Sequence, residues 1–423
     1  MEKPDPGRGQ RRTLPAFARW WPAALAAWGL TLALLVGADG SPGWQVLRVA
    51  VVLAVTAAAA WLWARTRLPG GAAAVVCGTV GVAVGIAIGI RYLAVDGASW
   101  RAMAGLLQLA TGLVLLIMGA VRTLSRVGRP WWKIAAGLAL ALAVVLVLWN
   151  MTPALVATNV PPIPAGGDGP ADFGLAAREV HFAAVDGTDL FAWYIPSVNG
   201  AALVLRHGSG STGSSVLPQA KVLAGHGYGV LVTDARGHGR SGGRAMDFGW
   251  YGDGDISAAV TFLEAQPEVD AGRIGVVGMS MGGEEALGAA AGDPRVAAVV
   301  AEGATGRTDA DKSWLPEVYG ARGRIQLGLE WIEYSLADLL TSASKPIALA
   351  DAAGAAAPRP VLLIVAGEVE DEAHAADHIR RKAPQSVSVW TVDGAGHTGG
   401  LSAAPAEWES TVIGFLDASL ARP

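Results

Sequence analysis

Five long apolar runs in the first third of the chain constrain its fold more than any other feature. Each is close to the roughly 20 residues that a helix needs to cross a bilayer. A soluble helical core is a poor alternative, because ordinary globular cores do not contain five such runs in succession. We therefore predict an all-α transmembrane bundle of five helices within residues 1–155. The runs are roughly 17–38, 45–64, 70–92, 102–121 and 132–155.

Lysine and arginine are concentrated in alternate loops of this region, on the side of the N-terminus. Because cytoplasmic loops carry the excess of basic residues, the pattern predicts a cytoplasmic N-terminus. Five spans would then place the rest of the chain on the extracytoplasmic face of the cell membrane. The basic residues on the N-terminal side are Lys3, Arg8, Arg11, Arg12, Arg19, Arg65, Arg67, Arg122, Arg126, Arg129 and Lys133.

The interiors of the predicted spans contain no acidic residue and no histidine. Transporters and proton relays usually place such residues inside the membrane, so we interpret the region as an anchor or assembly surface. Four glycines in the third run, at 78, 81, 85 and 89, favour close helix packing. The single cysteine, Cys77, excludes an internal disulfide or a cysteine metal site, and the net charge of -4 gives no reason to expect a nucleic-acid partner.

The segment 156–174 is rich in proline and glycine and is predicted to be a linker. Beyond it, residues 175–423 alternate between short apolar runs and helical patterns. A hairpin signal comes first, around Asp186-Gly187, and six further strand-like runs follow. This order predicts a mostly parallel eight-stranded sheet with an antiparallel start. Residues 303–358, after the sixth strand, are too long for a simple connection and are predicted to form a helical cap.

The most informative stretch of the second region is "RIGVVGMSMGG". A buried strand runs into Gly278-Met279-Ser280-Met281-Gly282 and then into a helix, which is the context that a G-x-S-x-G nucleophile turn requires. The two outer glycines leave space around the serine hydroxyl. The helix N-terminus also places partial positive charge where an oxyanion would develop. We therefore predict that Ser280 is a nucleophile.

A nucleophilic serine needs a base, and the base needs an acid to orient it. Among seven histidines, only His397 lies in a loop between the last apolar strand and the last helix, in "GAGHTGG". The acid is expected after the preceding strand, "VLLIVAG". Glu370 fits the usual offset best and Asp371 is close behind; both are retained. The less favoured alternatives are Glu368 and, at the end of the sixth strand, Glu302.

The glycine-rich turn "RHGSGSTG" permits two interpretations. Residues 208–213 match G-x-G-x-x-G, and Asp234 follows at the distance expected of a dinucleotide-binding fold. That interpretation leaves Ser280 and His397 without a role, and the turn follows a hairpin. We therefore favour an oxyanion loop, in which the backbone N–H groups of Ser209 and Met281 point at the substrate oxygen.

Residues 175–420 resemble the α/β-hydrolase superfamily, in the branch of dienelactone hydrolases, prolyl-oligopeptidase-like peptidases and membrane-tethered acylhydrolase-like proteins. The resemblance rests on "DARGHGRSGG" at 234–243, on the Ser280 segment and on "GAGHTGG". It implies an α/β-hydrolase fold with the chain order serine, acid, histidine. It implies no metal and no cofactor. The sequence departs from the family at the acid.

Two acidic residues follow the nucleophile. Glu284 and Glu285 lie in the first turn of the helix, where the helix dipole favours negative charge. The simpler interpretation is that both residues stabilise the start of this helix. The alternative is that Glu284 faces the pocket and selects substrates that carry an amine.

Together these features predict a membrane-anchored, extracytoplasmic serine hydrolase that cleaves an ester, a thioester or an amide through an acyl-enzyme. Its expected partners are the bilayer and a small-molecule, lipid or peptide acyl substrate. Two alternatives remain open at this point. One is an acyltransferase that uses the same residues on lipid or envelope acceptors, and the other is a non-catalytic binding or scaffold protein that keeps the fold.

Overall fold

A computed structural model describes residues 20–38, 42–66 and 68–422 of the chain. The chain divides into two compact units, Met1–Thr152 and Pro153–Pro423. The N-terminal basic residues up to Arg19, together with Arg67, lie outside the described residues.

Helices alone form the described part of the first unit. The helix α3 continues through a π-helical turn, Gly85–Ile90, into α4. Among the described residues, four helical segments are long and apolar enough to cross a membrane: Pro42–Arg65, Leu68–Asp96, Trp100–Leu124 and Pro130–Thr158. The first helix is apolar but has only 16 residues. The helices are α1 (Trp21–Val36), α2 (Pro42–Arg65), α3 (Leu68–Val84), α4 (Arg91–Asp96), α5 (Trp100–Leu124) and α6 (Pro130–Thr158).

Glycines bring the backbones of α3 and of the π-helical turn after it into contact with that of α5. A Cβ atom added to Gly78 would lie 2.4 Å from the backbone nitrogen of Leu116, and one added to Gly105 would lie 2.4 Å from that of Gly89. No side chain fits at these positions, so the predicted close packing of the third run is confirmed, and α5 supplies the partner glycines.

An eight-stranded sheet organises the second unit, as predicted. The first two strands are antiparallel, and so is the pairing of β2 with β4. All other pairings are parallel, in the order β1-β2-β4-β3-β5-β6-β7-β8. The strands are β1 (Arg178–Ala183), β2 (Asp189–Ile195), β3 (Ala202–Arg206), β4 (Gly229–Thr233), β5 (Ile274–Met279), β6 (Val296–Glu302), β7 (Val361–Ala366) and β8 (Val387–Val392).

Helices cover both faces of this sheet and enclose one apolar core on each face. The central strands β3, β4, β5 and β7 are buried along their whole length, as expected for a parallel sheet sandwiched between helices. The helices are α7 (Leu217–Gly225), α8 (Gly252–Glu264), α9 (Met281–Gly292), α10 (Leu315–Leu340), α11 (Leu349–Ala356), α12 (Glu370–Arg380), α13 (Gly400–Ala403) and α14 (Pro405–Ser419).

The region predicted as a cap contains two helices with different environments. The long helix α10 has exposed apolar side chains such as Ile325 and Trp331. The short helix α11 is buried, and its alanines share the core cluster that contains those of α9. The helix α11 therefore belongs to the layers around the sheet, and α10 is the long helix inserted after β6.

The segment predicted as a linker is partly docked on the second unit. The backbone N–H of Ile163 donates to the carbonyl of Gly237 at 3.2 Å, and the N–H of Gly239 donates to the carbonyl of Ile163 at 2.8 Å. Ile163 precedes Pro164, and a proline favours extended backbone in the residue before it, which suits this strand-like pairing.

Candidate active site

Ser280 lies in a strained turn between β5 and α9, with φ 53° and ψ -120°. Positive φ is rare for a residue other than glycine. The two glycines of the motif are required by close contacts. A Cβ on Gly278 would lie 2.2 Å from the carbonyl oxygen of Gly282, and one on Gly282 would lie 2.7 Å from that of His207. The turn holds the serine side chain at the carboxyl end of the sheet.

His397 lies beside Ser280, although it belongs to the C-terminal part of the domain sequence. Its Nε2 lies 2.8 Å from Oγ of Ser280, although the two residues are 117 positions apart. It lies in the histidine loop, residues 393–400, which follows β8. The two residues singled out from the sequence as nucleophile and base are therefore within hydrogen-bond distance.

The third member of this hydrogen-bonded chain is Glu372. Its Oε1 lies 2.6 Å from Nδ1 of His397, and its Oε2 accepts the backbone N–H of Ala366 at 2.8 Å. A carboxylate can only accept, so Nδ1 carries the proton and Nε2 is left to accept from the Ser280 hydroxyl. Glu372 is only 1% exposed.

The two preferred acid candidates are not beside His397, and this prediction of position was wrong. The Glu370 side chain is 80% exposed and lies 3.6 Å from His374. Asp371 accepts a hydrogen bond from the Tyr319 hydroxyl. The helix α12 begins at Glu370, and each helical residue turns about 100° from the last. Only Glu372 on this first turn faces the buried side.

The fallback candidates also lie elsewhere. Glu302 is buried, but its oxygens accept N–H groups of Gly400 and Trp408 instead of that of His397. Glu368 is exposed.

The glycine-rich turn lies directly beside the serine. A Cβ on Gly208 would lie 3.1 Å from Cβ of Ser280, so glycine allows the loop to approach closely. Ser209 follows, and its hydroxyl donates to Asp247 at 2.6 Å. Met281 is buried as the first residue of α9, where helix geometry leaves the backbone N–H without a partner inside the helix. The roles of the Ser209 and Met281 N–H groups in an oxyanion hole stay a prediction.

Two buried histidines support this loop. His207 accepts the N–H of Ala235 at 2.8 Å on Nε2 and donates through Nδ1 to the carbonyl of Gly208 at 2.7 Å. His238 accepts the N–H of Gly210 at 3.3 Å on Nε2. Both arrangements require a neutral ring. Burial lowers the pKa of His207 well below 6.5 and lowers that of His238 to about 4, in agreement with this geometry.

Asp234 ties the same loop to the family motif that follows β4. Its Oδ1 accepts the N–H of Gly213 at 2.7 Å, and its Oδ2 accepts the N–H of Arg240 at 2.8 Å. The sequence motif "DARGHGRSGG" therefore braces the turn next to Ser280.

Glu284 is buried and accepts two backbone N–H groups on one oxygen, from Thr305 at 3.1 Å and Gly306 at 2.8 Å. Burial raises the pKa of its carboxyl group. These contacts give it a structural role in the loop after β6. Its selection of an amine-bearing substrate stays a prediction.

Carboxylates dominate the electrostatics around the imidazole. The hydrogen bond to Glu372 raises the pKa of His397 above its usual 6.5, and the charges of Glu372, Glu284 and Glu302 act in the same direction. Burial of the ring opposes them. The site therefore stabilises a protonated imidazole, the form that a general base acquires when it takes a proton.

Comparison with known proteins finds a family match within the second unit. Residues 198–348 match the family described as serine aminopeptidase, S33. Thiohydrolase aneE of Aspergillus aculeatus is 39% identical over 127 residues, which are 29% of this chain and 40% of the relative. Polyketide transferase grgF of a Penicillium species is 35% identical over 138 residues, which are 30% of this chain and 45% of the relative. The chain thus spans less than half the length of these two relatives.

Among solved structures, an esterase of Pyrococcus furiosus is 25% identical with a TM-score of 0.49, over 62% of this chain and 98% of that one. The strand order, the serine turn between β5 and α9 and the family match over residues 198–348 lead to one assignment. The C-terminal domain of this chain is an α/β-hydrolase domain, and its residues 198–348 match the S33 serine aminopeptidase family.

Proposed function

We propose that the protein is a membrane-anchored serine hydrolase that cleaves an ester, a thioester or an amide through an acyl-enzyme. The observation that carries the proposal is the continuous chain of short hydrogen bonds from Ser280 through His397 to Glu372 on a strained turn. A serine hydroxyl is a weak nucleophile until an adjacent base can take its proton. This arrangement supplies the base and the group that orients it.

In the proposed acylation step, Oγ of Ser280 attacks the carbonyl carbon of the substrate while Nε2 of His397 takes the hydroxyl proton. The negative charge develops on the carbonyl oxygen, and the N–H groups of Ser209 and Met281 stabilise it there. Glu372 remains ionised and stabilises the imidazolium. The tetrahedral intermediate collapses when the bond to the leaving group breaks, and His397 donates its proton to that leaving group.

In the proposed deacylation step, His397 takes a proton from water, and the water oxygen attacks the acyl-enzyme. The acid product leaves and the proton returns to Oγ of Ser280. The names of the relatives favour thioesters and other activated acyl groups among the substrate classes, since one is a thiohydrolase and another a polyketide transferase.

A fluorophosphonate probe tests the activated serine directly. We expect the full chain in detergent to be labelled at Ser280, and Ser280→Ala to be folded but unlabelled. Ser410→Ala is the matched control, since this serine is exposed on α14 and its hydroxyl donates to the carbonyl of Glu407, and it should be labelled like the wild type. A folded wild type that resists the probe would move the non-catalytic scaffold to first place.

Acyl transfer is the second candidate, and the name of the grgF relative favours it. It differs from hydrolysis only in which nucleophile reaches the acyl-enzyme. Turnover of a thioester in the presence of alcohols and amines should give mainly the free acid if the protein is a hydrolase. A transferase would give mainly the ester or amide.

The membrane location rests on the four helices that are long enough to cross a bilayer. The sidedness of the hydrolase domain depends on α1. Its 16 residues extend roughly 24 Å at 1.5 Å per residue, short of the ~30 Å hydrocarbon core. Five spans would put the two chain ends on opposite faces, and four would put them on the same face.

Reporter fusions at both chain ends distinguish these arrangements. From the five apolar runs and the basic residues on the N-terminal side, we expect a cytoplasmic signal from the N-terminal fusion and an extracytoplasmic signal from the C-terminal fusion. A cytoplasmic signal from the C-terminal fusion would contradict the extracytoplasmic location, without affecting the proposed chemistry.

A further inference from the structure

Glu302, the last residue of β6, contacts both halves of the candidate catalytic pair. Its backbone carbonyl accepts the N–H of Ser280 at 2.7 Å. Its side-chain Oε1 accepts the N–H of Gly400, at the end of the histidine loop, at 2.7 Å. One residue thus links the turn that carries the nucleophile to the loop that carries the base.

The side chain of Glu302 is buried between two groups that can only donate hydrogen bonds. Besides the N–H of Gly400 on Oε1, Oε2 accepts Nε1–H of Trp408 at 3.0 Å. The residue is 2% exposed. A protonated acid or an amide would turn an N–H or O–H towards one of these donors, so only the ionised carboxylate satisfies both.

The fit at the end of the histidine loop is also tight. A Cβ on Gly400 would lie 2.8 Å from Oε1 of Glu302, so the loop approaches the carboxylate through a residue without a side chain. His397 lies three residues earlier, and a Cβ on Gly303 would lie 2.9 Å from its Cε1. Displacement of the Glu302 contact would therefore be transmitted to the imidazole.

We propose that Glu302 is a positioning residue of this site: its ionised carboxylate fixes the histidine loop to the strand beside Ser280, and its charge stabilises the imidazolium of His397. The proposal rests on the proposed serine hydrolase function. It differs from the role of a triad acid, because Glu372 already occupies Nδ1 of His397.

Three carboxylates contribute to the charge around His397, from three different elements. Glu372 on α12 has the largest effect on the pKa of the imidazole, and Glu284 on α9 and Glu302 on β6 raise it further. Burial raises the pKa of the Glu302 carboxyl group above its usual value, and the N–H groups of Trp408 and Gly400 offset only part of this rise. Removal of the Glu302 charge should therefore lower the pKa of His397.

The test uses Glu302→Gln, Trp408→Phe and the double variant in the full chain in detergent. Two quantities are measured: the rate of fluorophosphonate labelling across pH, and the titration of His397 by NMR of histidine-labelled protein. The glutamine amide can accept only one of the two N–H groups and must turn its own NH2 towards the other. We expect Glu302→Gln to be labelled on the order of 10 to 100 times more slowly, as expected of a displaced catalytic group.

The double variant separates position from charge. With phenylalanine at 408, the amide can accept from Gly400 and turn its NH2 towards the ring. The labelling rate should rise relative to Glu302→Gln, while the pKa of His397 stays lowered because the charge is still absent. Trp408→Phe alone should change the rate only a few-fold and leave the titration unchanged.

Three results would overturn the proposal. The first is a Glu302→Gln variant with the labelling rate and the His397 titration of the wild type. The second is a Glu302→Gln variant whose melting temperature falls while its labelling rate and His397 titration stay unchanged. The third is a double variant that is labelled no faster than Glu302→Gln. A wild type that cannot be labelled would refute the proposed function instead. The His397 titration would then still decide whether Glu302 acts on the imidazole.

Discussion

The two units of this chain bring their elements together by opposite means. In the first unit, α3 and α5 meet through glycines whose backbones touch, with no space for a methyl group at Gly78 or Gly105. In the second, the strand β3 and the helix α9 enclose a charged pair, in which Nε of Arg206 lies 2.6 Å from Glu285 with both side chains buried. Asp255 and Arg236 extend this network, at 2.6 Å from each other.

The difference follows from the solvent that each unit would face. Apolar side chains gain nothing by leaving lipid for a helix interface, so close van der Waals contact of backbones is the available source of association. A domain in water buries apolar surface favourably, which can offset the desolvation of buried charges. Replacement of one polar atom should therefore impair function in the second unit, whereas one added methyl group should impair folding in the first.

The largest expected effect is at Glu372. Like Glu302, it accepts two N–H donors, from His397 and Ala366. In Glu372→Gln the amide cannot serve both, and the charge that stabilises the imidazolium is lost. We expect the rate of acyl transfer from an activated ester to fall by about 10⁴-fold, the loss known for replacing a triad acid by its amide, while the domain stays folded.

Glu370→Gln and Asp371→Asn are the matched controls for this prediction, since they change the same kind of group on the same helical turn. Both should retain activity within about twofold, because their side chains do not contact His397. A larger loss in either control than in Glu372→Gln would return the acid to the position first expected from the sequence.

The position of the acid that bonds His397 was not predicted correctly from the sequence. The serine and the histidine were found because each lies in a distinctive glycine-rich motif. The acid has no such motif. Its predicted position was counted from Gly367 as if the following segment were a loop, whereas that segment forms the helix α12. Helical periodicity contained the missing signal, because Glu372 shares a face with Ala375, Ala376 and Ile379, the buried residues of α12.

The sheet and the helical N-terminal region were predictable for a similar reason, since buried strands and apolar helices leave a regular pattern over many residues. Contacts between distant loops leave none. The two N–H donors of Glu302 come from Gly400 and Trp408, about 100 residues away, and the partner glycines of the third span lie on a separate helix. Only the folded chain brings such groups together.

A smaller effect, on folding stability, is expected when His238 is protonated at acidic pH. Its pKa is about 4 in the folded domain and near 6.5 when unfolded, so the unfolded chain binds a proton first on acidification. Its contribution to stability is complete above pH 6.5 and is lost as the pH falls towards 4, by roughly 3 kcal/mol. Protonation removes the acceptor for the Gly210 N–H.

The melting temperature of the full chain in detergent, measured between pH 7 and pH 4, checks this expectation. His238→Gln keeps an acceptor oxygen that does not titrate in this range, so its melting temperature should fall less steeply than that of the wild type. Equal slopes would show that other groups account for the acid sensitivity.

The smallest effect is expected in the first unit, from Gly105→Ala. The added methyl group would lie 2.4 Å from the backbone nitrogen of Gly89, so α5 and the π-helical turn Gly85–Ile90 must separate, at a cost of about 1–3 kcal/mol by analogy with overpacked cores. Gly137→Ala on α6 is the matched control, because its Cβ would lie 4.0 Å from the nearest atom, on Leu124. Titration with a denaturing detergent should unfold the first variant earlier and leave the second unchanged. Both should keep wild-type labelling of Ser280; if Gly105→Ala also slows that labelling, the catalytic geometry depends on helix packing in the first unit, and the contrast between the two units fails.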